Sequence, residues 1–270
     1  MKRKQDMVLS RLEIAKTSAV TVGKGLLDHF YNGDREGDLK PDQTLVTEAD
    51  KTADIHLQKL IGDAFPADGI LSEENSTTYP DTDDVWVLDP LDGTVNFSLG
   101  LHYWGVSIAH FQAGHLENSA IYFPVIDELY SASAGNGAEF NGKPLSLSDP
   151  PIKTEFPIFV HCSRLYSNYH VSVKYKKRSL GAAAYHLCLV PKGAAILALE
   201  SQPRIWDFAA SWLIVNEAGG MICTIGDEEP FPARVGIDYA DLPFPILAAA
   251  DQNSMAYAIK NIQRRNRSKE

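Results

Sequence analysis

Asp89, Asp92 and Thr94 stand within six positions of one another in WVLDPLDGTVNF (86–97), where an apolar run ends. A turn needs one Asp followed by Gly, which Asp92-Gly93 supplies. Asp89 is surplus to that need. Two carboxylates about 4 Å apart at an effective dielectric of about 20 repel by roughly 4 kcal/mol. Either the side chains point apart or a positive charge offsets the repulsion. Three further acidic clusters invite the same question: Asp50 in LVTEAD, Glu73-Glu74 in ILSEEN, and Asp207 in WDFAASWLIVNEAGG.

Each has a plain structural reading. Asp50 suits a capping box with Thr47. Glu73-Glu74 suits a solvated loop, and Asp207 the first turn of a helix, where negative charge gains about 0.3–1 kcal/mol. Position favours chemistry, because these acids sit at the ends of apolar runs, where strands would hold them on a rigid edge. Carboxylates with a threonine hydroxyl and a main-chain carbonyl are hard oxygen ligands, suited to Mg2+ or Mn2+ and not to zinc. The amides of Gly93 and Thr94, opening a helix or turn, would add an anion site. Cation beside anion points to a phosphate ester.

The elements that must position these groups are legible in outline. Helical spacing runs through residues 5–30, with Val8, Leu12, Ala15, Ala19, Val22, Leu26 and Leu27 on one face. YNGDREGDLKPDQT (31–44) reads as a mobile loop. Helical spacing returns over 47–65. GILSEEN, VWVLD, WGVSIAHF, LENSAIYF and DELYSAS read as strands, and GNGAEFNGKPLSLS as hairpins. After Pro150-Pro151, FPIFVHCS predicts a strand, residues 181–200 a helix and then a strand, and WDFAASWLIVNEAGGMICTI a helix stopping near Gly219-Gly220 before a strand. This order predicts α+β layers, with a subdomain boundary at Pro150-Pro151 dividing 1–150 from 151–270.

Composition narrows the function. The chain has 270 residues, 44% of them hydrophobic, and a formal net charge of −10. That charge argues against general binding of nucleic acid or anionic membrane. No apolar stretch is long enough to span a bilayer, and the basic start lacks the apolar core of a signal peptide; both predict a cytoplasmic protein. Cys162, Cys188 and Cys223 lie far apart without a CxxC, indicating neither disulfides nor structural zinc. The eight histidines form no HxH or HExxH pair, so none is assigned to metal. KYKKR (174–178) reads as a solvated turn.

DPLDGTVNF and WDFAASWLIVNEAGG together resemble the paired signature of the inositol monophosphatase family. LVTEAD, ILSEEN, WGVSIA, GNGAEFNGKPL and RSLGAAAYHLCLV follow the same resemblance in order, over most of residues 8–250. The resemblance implies a layered αβαβα sandwich of the sugar-phosphatase type with two subdomains, working as a homodimer and inhibited by Li+. It implies two or three Mg2+ ions. Glu73, Asp89, the Leu91 carbonyl and Thr94 would hold the first, and Asp89, Asp92 and Asp207 the second; a weaker third would sit near Glu73. Asp50 would pair with Thr94 to orient or deprotonate the attacking water, and the Gly93 and Thr94 amides would hold phosphate. Glu200 matches the acid that bonds the hydroxyls of an inositol ring. The implied reaction is hydrolysis of inositol monophosphate or a related small polyol phosphate by metal-activated water, without a covalent intermediate. Cys162 and Ser163 lack the glycine-rich anion loop that a phosphocysteine enzyme needs.

Three departures bear on substrate. Thr44 stands where the family has an Asp before LVT, Lys40 matches a catalytic-loop basic residue only across a gap, and the segment between Ser163 and Arg178 is short. Two rival readings remain: the same chemistry on a nucleotide 3′-phosphate or fructose 1,6-bisphosphate, and a non-catalytic regulatory protein on this scaffold.

Overall fold

The computed structural model describes residues 10–39, 45–153, 155–226 and 228–265. In chain order the elements are α1 (Arg11–Asn32), β1 (Gly37–Leu39), β2 (Leu45–Thr47), α2 (Glu48–Ala64), β3 (Gly69–Ser72), β4 (Asp84–Asp92), α3 (Thr94–Ser98), β5 (Gly105–Gln112), β6 (His115–Phe123), β7 (Glu128–Ser133), β8 (Gly137–Phe140) and β9 (Lys143–Leu145). They continue with β10 (Ile158–His161), α4 (Leu165–Asn168), β11 (Tyr169–Val171), β12 (Lys176–Arg178), α5 (Ala183–Cys188), β13 (Leu197–Glu200), α6 (Ile205–Glu217), β14 (Met221–Thr224), β15 (Ile246–Ala249), α7 (Gln252–Asn261) and β16 (Ile262–Arg264).

Two mixed sheets organise the α+β fold. The larger has seven strands in the order β3-β4-β5-β6-β7-β8-β9, and the smaller has five in the order β12-β10-β13-β15-β14. The first is built wholly from residues before Pro150 and the second wholly from residues after Pro151.

Alternation of apolar side chains along the strands separates the layers. Trp86, Leu88, Val106, Ile108, Ala120 and Tyr122 point one way and bury with Ala15, Ala19, Val22 and Leu26 of α1 and Ala53, Leu57 and Ile61 of α2. α1 comes so close that a Cβ on Gly23 would lie 2.7 Å from the Tyr122 ring. The opposite set, Val85, Val87, Ala109, Phe111, Ile121 and Phe123, buries with Ala184 and Leu187 of α5 and Phe208, Ala209 and Leu213 of α6. The small sheet repeats the device. Val160, Ala198 and Ala248 join that middle core, whereas Phe159, Leu197, Leu199, Leu247 and Ala249 bury with Leu165, Met255 and Ala258 on the far side. The result is five layers: α1/α2, large sheet, α5/α6, small sheet, α4/α7.

Two expectations are corrected. The 31–44 loop is partly ordered by pairing: Gly37, Asp38 and Leu39 of β1 run antiparallel against Thr47, Val46 and Leu45 of β2. Residues 174–178 are no mere turn, since Lys176–Arg178 form β12, parallel to β10 at one edge of the small sheet. Lysines on an edge strand keep it from pairing with other chains, which reconciles a charge run with a strand. Lys40 and Thr44 lie outside the described residues. Among the described residues, no helix is long and apolar enough to cross a membrane.

Candidate active site

The parity of β4 aims the first aspartate. Val85 and Val87 face the α5/α6 layer, so Asp89, two residues on, faces it too and is buried. Strict alternation would send Asp92 to the other side. A bulge prevents this: Asp89 opposes Ser107 and Asp92 opposes Gly105, so three steps on β4 match two on β5. Pro90, which has no amide hydrogen to give a ladder, falls inside the bulge. Asp92 thereby reaches α5, where its two oxygens accept the Ala183 and Ala184 amides at 3.0 and 2.9 Å. Gly93 then turns with φ +90°, and a Cβ there would stand 2.9 Å from the Tyr103 carbonyl oxygen and 3.1 Å from the Ala182 Cβ.

Three other elements bring in the remaining acids. β3 runs parallel to β4, and Glu73 follows its last residue, donating its amide to the Leu88 carbonyl at 3.3 Å. Asp207 lies in the first turn of α6, accepting the Arg204 amide at 2.7 Å. Asp50 completes the expected capping box at the start of α2: Thr47 Oγ1 accepts its amide, and its own carboxylate accepts the Thr47 amide at 2.7 Å. Such a cap is worth about 1 kcal/mol. The other oxygen of Asp50 accepts from Thr94 Oγ1 at 3.0 Å, and the same hydroxyl lies 3.1 Å from the Leu91 carbonyl.

Two groups of atoms result. Glu73, Asp89 and Asp207 each offer a carboxylate oxygen within 4.8 Å of the others. Asp50, Thr94 and the Leu91 carbonyl form the second group, joined to the first through β4. Asp92 stands outside the three-acid cluster, both oxygens already bonded to amides. Glu200 arrives by the same alternation: Ala198 faces the middle layer, and so does Glu200, against His186 of α5 with Oε1 2.6 Å from Nδ1.

The electrostatics follow from the crowding. Burial pushes Asp89 well above the usual carboxylate range, and the charges of Glu73, Asp92 and Asp207 push it further. Asp92 is pushed up to about 7 by burial and by Glu200 and Glu73, against the lowering effect of its two amide bonds. Asp207 is also pushed up to about 7, by burial and then Asp92. Asp50 is raised by burial, opposed by its bonds from Thr47 and Thr94. Three converging carboxylates, two of them with their proton affinity raised by burial and neighbouring acids, fit a hard divalent cation.

A second trio, Asp68, Asp84 and His110, is equally compact but already holds a cation. The Arg11 guanidinium lies 3.0 Å from Asp68 and 3.1 Å from Asp84, and Trp86 Nε1 donates to Asp68 at 2.9 Å. It fastens α1 to the sheet. Sequence reasoning missed the partners supplied by α5. The alanines of RSLGAAAYHLCLV give no sign that two of their amides serve Asp92, and a single buried histidine in an apolar helix reads as core.

Residues 8–265 match the inositol monophosphatase family. A protein of Aquifex aeolicus named fructose-1,6-bisphosphatase/inositol-1-monophosphatase is 31% identical over 231 residues, covering 82% of this chain and 87% of its own. A histidinol-phosphatase of Chlorobaculum parvum is 34% identical over 217 residues, covering 77% and 83%. The crystal structure of the extragenic suppressor protein suhB from Bartonella henselae superposes with a TM-score of 0.76 at 26% identity, covering 92% of this chain and 96% of that one. The chain belongs to the inositol monophosphatase family.

Proposed function

We propose that this protein is a Mg2+-dependent phosphomonoesterase acting on inositol monophosphate or a related small polyol phosphate. Two of the named relatives carry phosphatase names. The observation that carries the reading is the convergence of Glu73, Asp89 and Asp207 beside the Asp50–Thr94 pair. In this reading Glu73, Asp89 and Asp207, with Asp92, the Leu91 carbonyl and Thr94, hold two or three Mg2+ ions. Bound Mg2+ would supply Lewis acidity, lowering the pKa of water and offsetting charge on the phosphoryl oxygens and the leaving alkoxide. Thr94 accepts a hydrogen bond from the attacking water while its own proton points at Asp50. Burial raises the affinity of Asp50 for that proton, which suits a base working near neutral pH. The Gly93 and Thr94 amides face the phosphate, and Glu200 accepts from a hydroxyl of the alcohol.

Family membership further supports a homodimer, a cytoplasmic site of action, sensitivity to Li+, and two subdomains meeting at Pro150-Pro151. Because relatives carry fructose-1,6-bisphosphatase and histidinol-phosphatase names, the substrate is to be decided by a panel. Phosphate release is measured from myo-inositol 1-phosphate, fructose 1,6-bisphosphate, adenosine 3′,5′-bisphosphate, histidinol phosphate and β-glycerophosphate, each with Mg2+, with EDTA, and with added Li+. Mg2+-dependent release led by inositol phosphate is expected. Another leading substrate moves the function to a sister activity, and no release from any would favour the non-catalytic reading.

A further inference from the structure

Resting on that reading, we infer that His186 is a positioning residue that presents Glu200 to the substrate as a fixed hydrogen-bond acceptor. His186 is 1% exposed and Glu200 5% exposed. The Leu180 backbone N–H lies 2.7 Å from His186 Nε2, and a backbone amide can only donate. Nε2 therefore carries the lone pair and Nδ1 the proton. That proton points at Glu200 Oε1, 2.6 Å away. The contact is a neutral imidazole donating to a carboxylate, with no freedom to reverse.

The arrangement is chained to the reacting centre. Leu180 gives its carbonyl to Asn96 Nδ2 at 2.6 Å, and Asn96 lies two residues after Thr94 in α3. A continuous path thus runs from Thr94 through Asn96, Leu180 and His186 to Glu200. A glutamate free to rotate loses side-chain freedom when it binds a ligand; one tied at Oε1 has lost it beforehand, so the ligand's contact is preorganised. Among the described residues Oε2 takes no hydrogen bond, which leaves it to accept from the substrate. The group opposite must be a donor, a hydroxyl or an amine, and an alcohol without one gains nothing from Glu200.

The test compares His186→Asn, whose amide nitrogen replaces Nδ1 and still serves Glu200, with His186→Gln, whose longer side chain serves Leu180 instead, and with His186→Leu, which serves neither. KM and kcat are measured for myo-inositol 1-phosphate and for p-nitrophenyl phosphate, whose leaving group carries no hydroxyl donor, with thermal unfolding of each variant as the check on folding. His186→Leu and His186→Gln should raise KM for the inositol phosphate about tenfold more than for the aryl phosphate, and His186→Asn should restore most of the difference. Equal losses on both substrates would make His186 merely structural and overturn the inference, and the Asn–Gln contrast stands even if the leucine variant fails to fold. A wild-type enzyme that does not favour the inositol phosphate over the aryl one would instead sink the polyol reading on which this rests. Nitrogen-15 NMR of the wild type supplies an activity-free readout: an Nδ1-protonated ring is expected for His186, and an Nε2-protonated one would refute the geometry itself.

Discussion

Replacing Asp89 by Asn should stabilise the metal-free protein and remove most of its response to Mg2+. Asp89 is buried and shares a 4.8 Å cluster with Glu73 and Asp207. At that separation and an effective dielectric of about 20, each ionised pair costs about 3 kcal/mol. Burial first, and neighbouring acids after it, raise Asp89 and Asp207, so retained protons relieve part of this cost. Above the pH at which both Asp89 and Asp207 ionise, removing the Asp89 charge should recover roughly one pair, about 3 kcal/mol. Asparagine keeps an oxygen for the Leu91 amide, which bonds Asp89 Oδ1 at 3.0 Å, so the bulge survives. For a chain of this size the gain corresponds to a rise in Tm of roughly 6–12 °C. The assay is thermal unfolding at a series of increasing alkaline pH values, first in EDTA and then in saturating Mg2+. In the wild type, cation at about a hundred times its Kd should add about 2.7 kcal/mol; in the variant most of that increment should vanish. A variant less stable than wild type in EDTA, or one that gains as much from Mg2+, would refute the view that unneutralised charge is what the cluster stores.

pH should act on the same balance. Asp92 and Asp207 are raised to about 7 from an ordinary value near 4, so the folded state binds more protons than the unfolded one across that interval. Stability of the metal-free protein should therefore be greatest below about pH 4 as far as these two groups are concerned, and be lost as pH rises through about 7. Mg2+ affinity should run the opposite way, weakening below about pH 7 as protons compete, and calorimetry across that range checks both signs. Thr94→Val removes the hydroxyl between Asp50 and the Leu91 carbonyl; kcat should fall about 10²- to 10⁴-fold while Mg2+ still raises Tm. Gly93→Ala forces an L side chain to φ +90° against the Tyr103 carbonyl and should cost about 1–3 kcal/mol, read as a lowered Tm with EDTA present. Asp92→Asn leaves one of the Ala183 and Ala184 amides without its acceptor, so it should lose about 1–3 kcal/mol of stability in addition to activity.

Period and spacing made the main elements of the large sheet and the helices α1, α2 and α6 legible, because each contributes a run or stripe of apolar residues to a buried layer. The capping box at Thr47 and Asp50 was equally plain, a local motif that needs no tertiary contact. β1 and β12 were not legible. Both are short strands without a buried residue, whose pairing depends on a neighbour distant in sequence or across a loop. In the site, the convergence of Glu73, Asp89 and Asp207 could be inferred from strand ends and family resemblance, and the structure places their oxygens together. The tethers of Asp92 and Glu200 could not, since their partners are two backbone amides and a histidine about 90 and 14 residues away, with nothing in their own side chains to announce the contact.

The bulge at Pro90 has a consequence for how this segment can evolve. Asp89 and Asp92 share a face only because β4 spends one residue more than β5 between Ser107 and Gly105. Deleting a single residue there would rotate Asp92 into the oily layer beneath α1 and α2, and inserting one would displace Gly93 from the turn that admits Thr94. Residues 89–94 are therefore constrained in length as well as in side-chain identity. Variation in substrate among descendants of such a chain should accumulate in the loops that reach the site from the small sheet, where insertions and deletions leave the spacing of these six residues untouched.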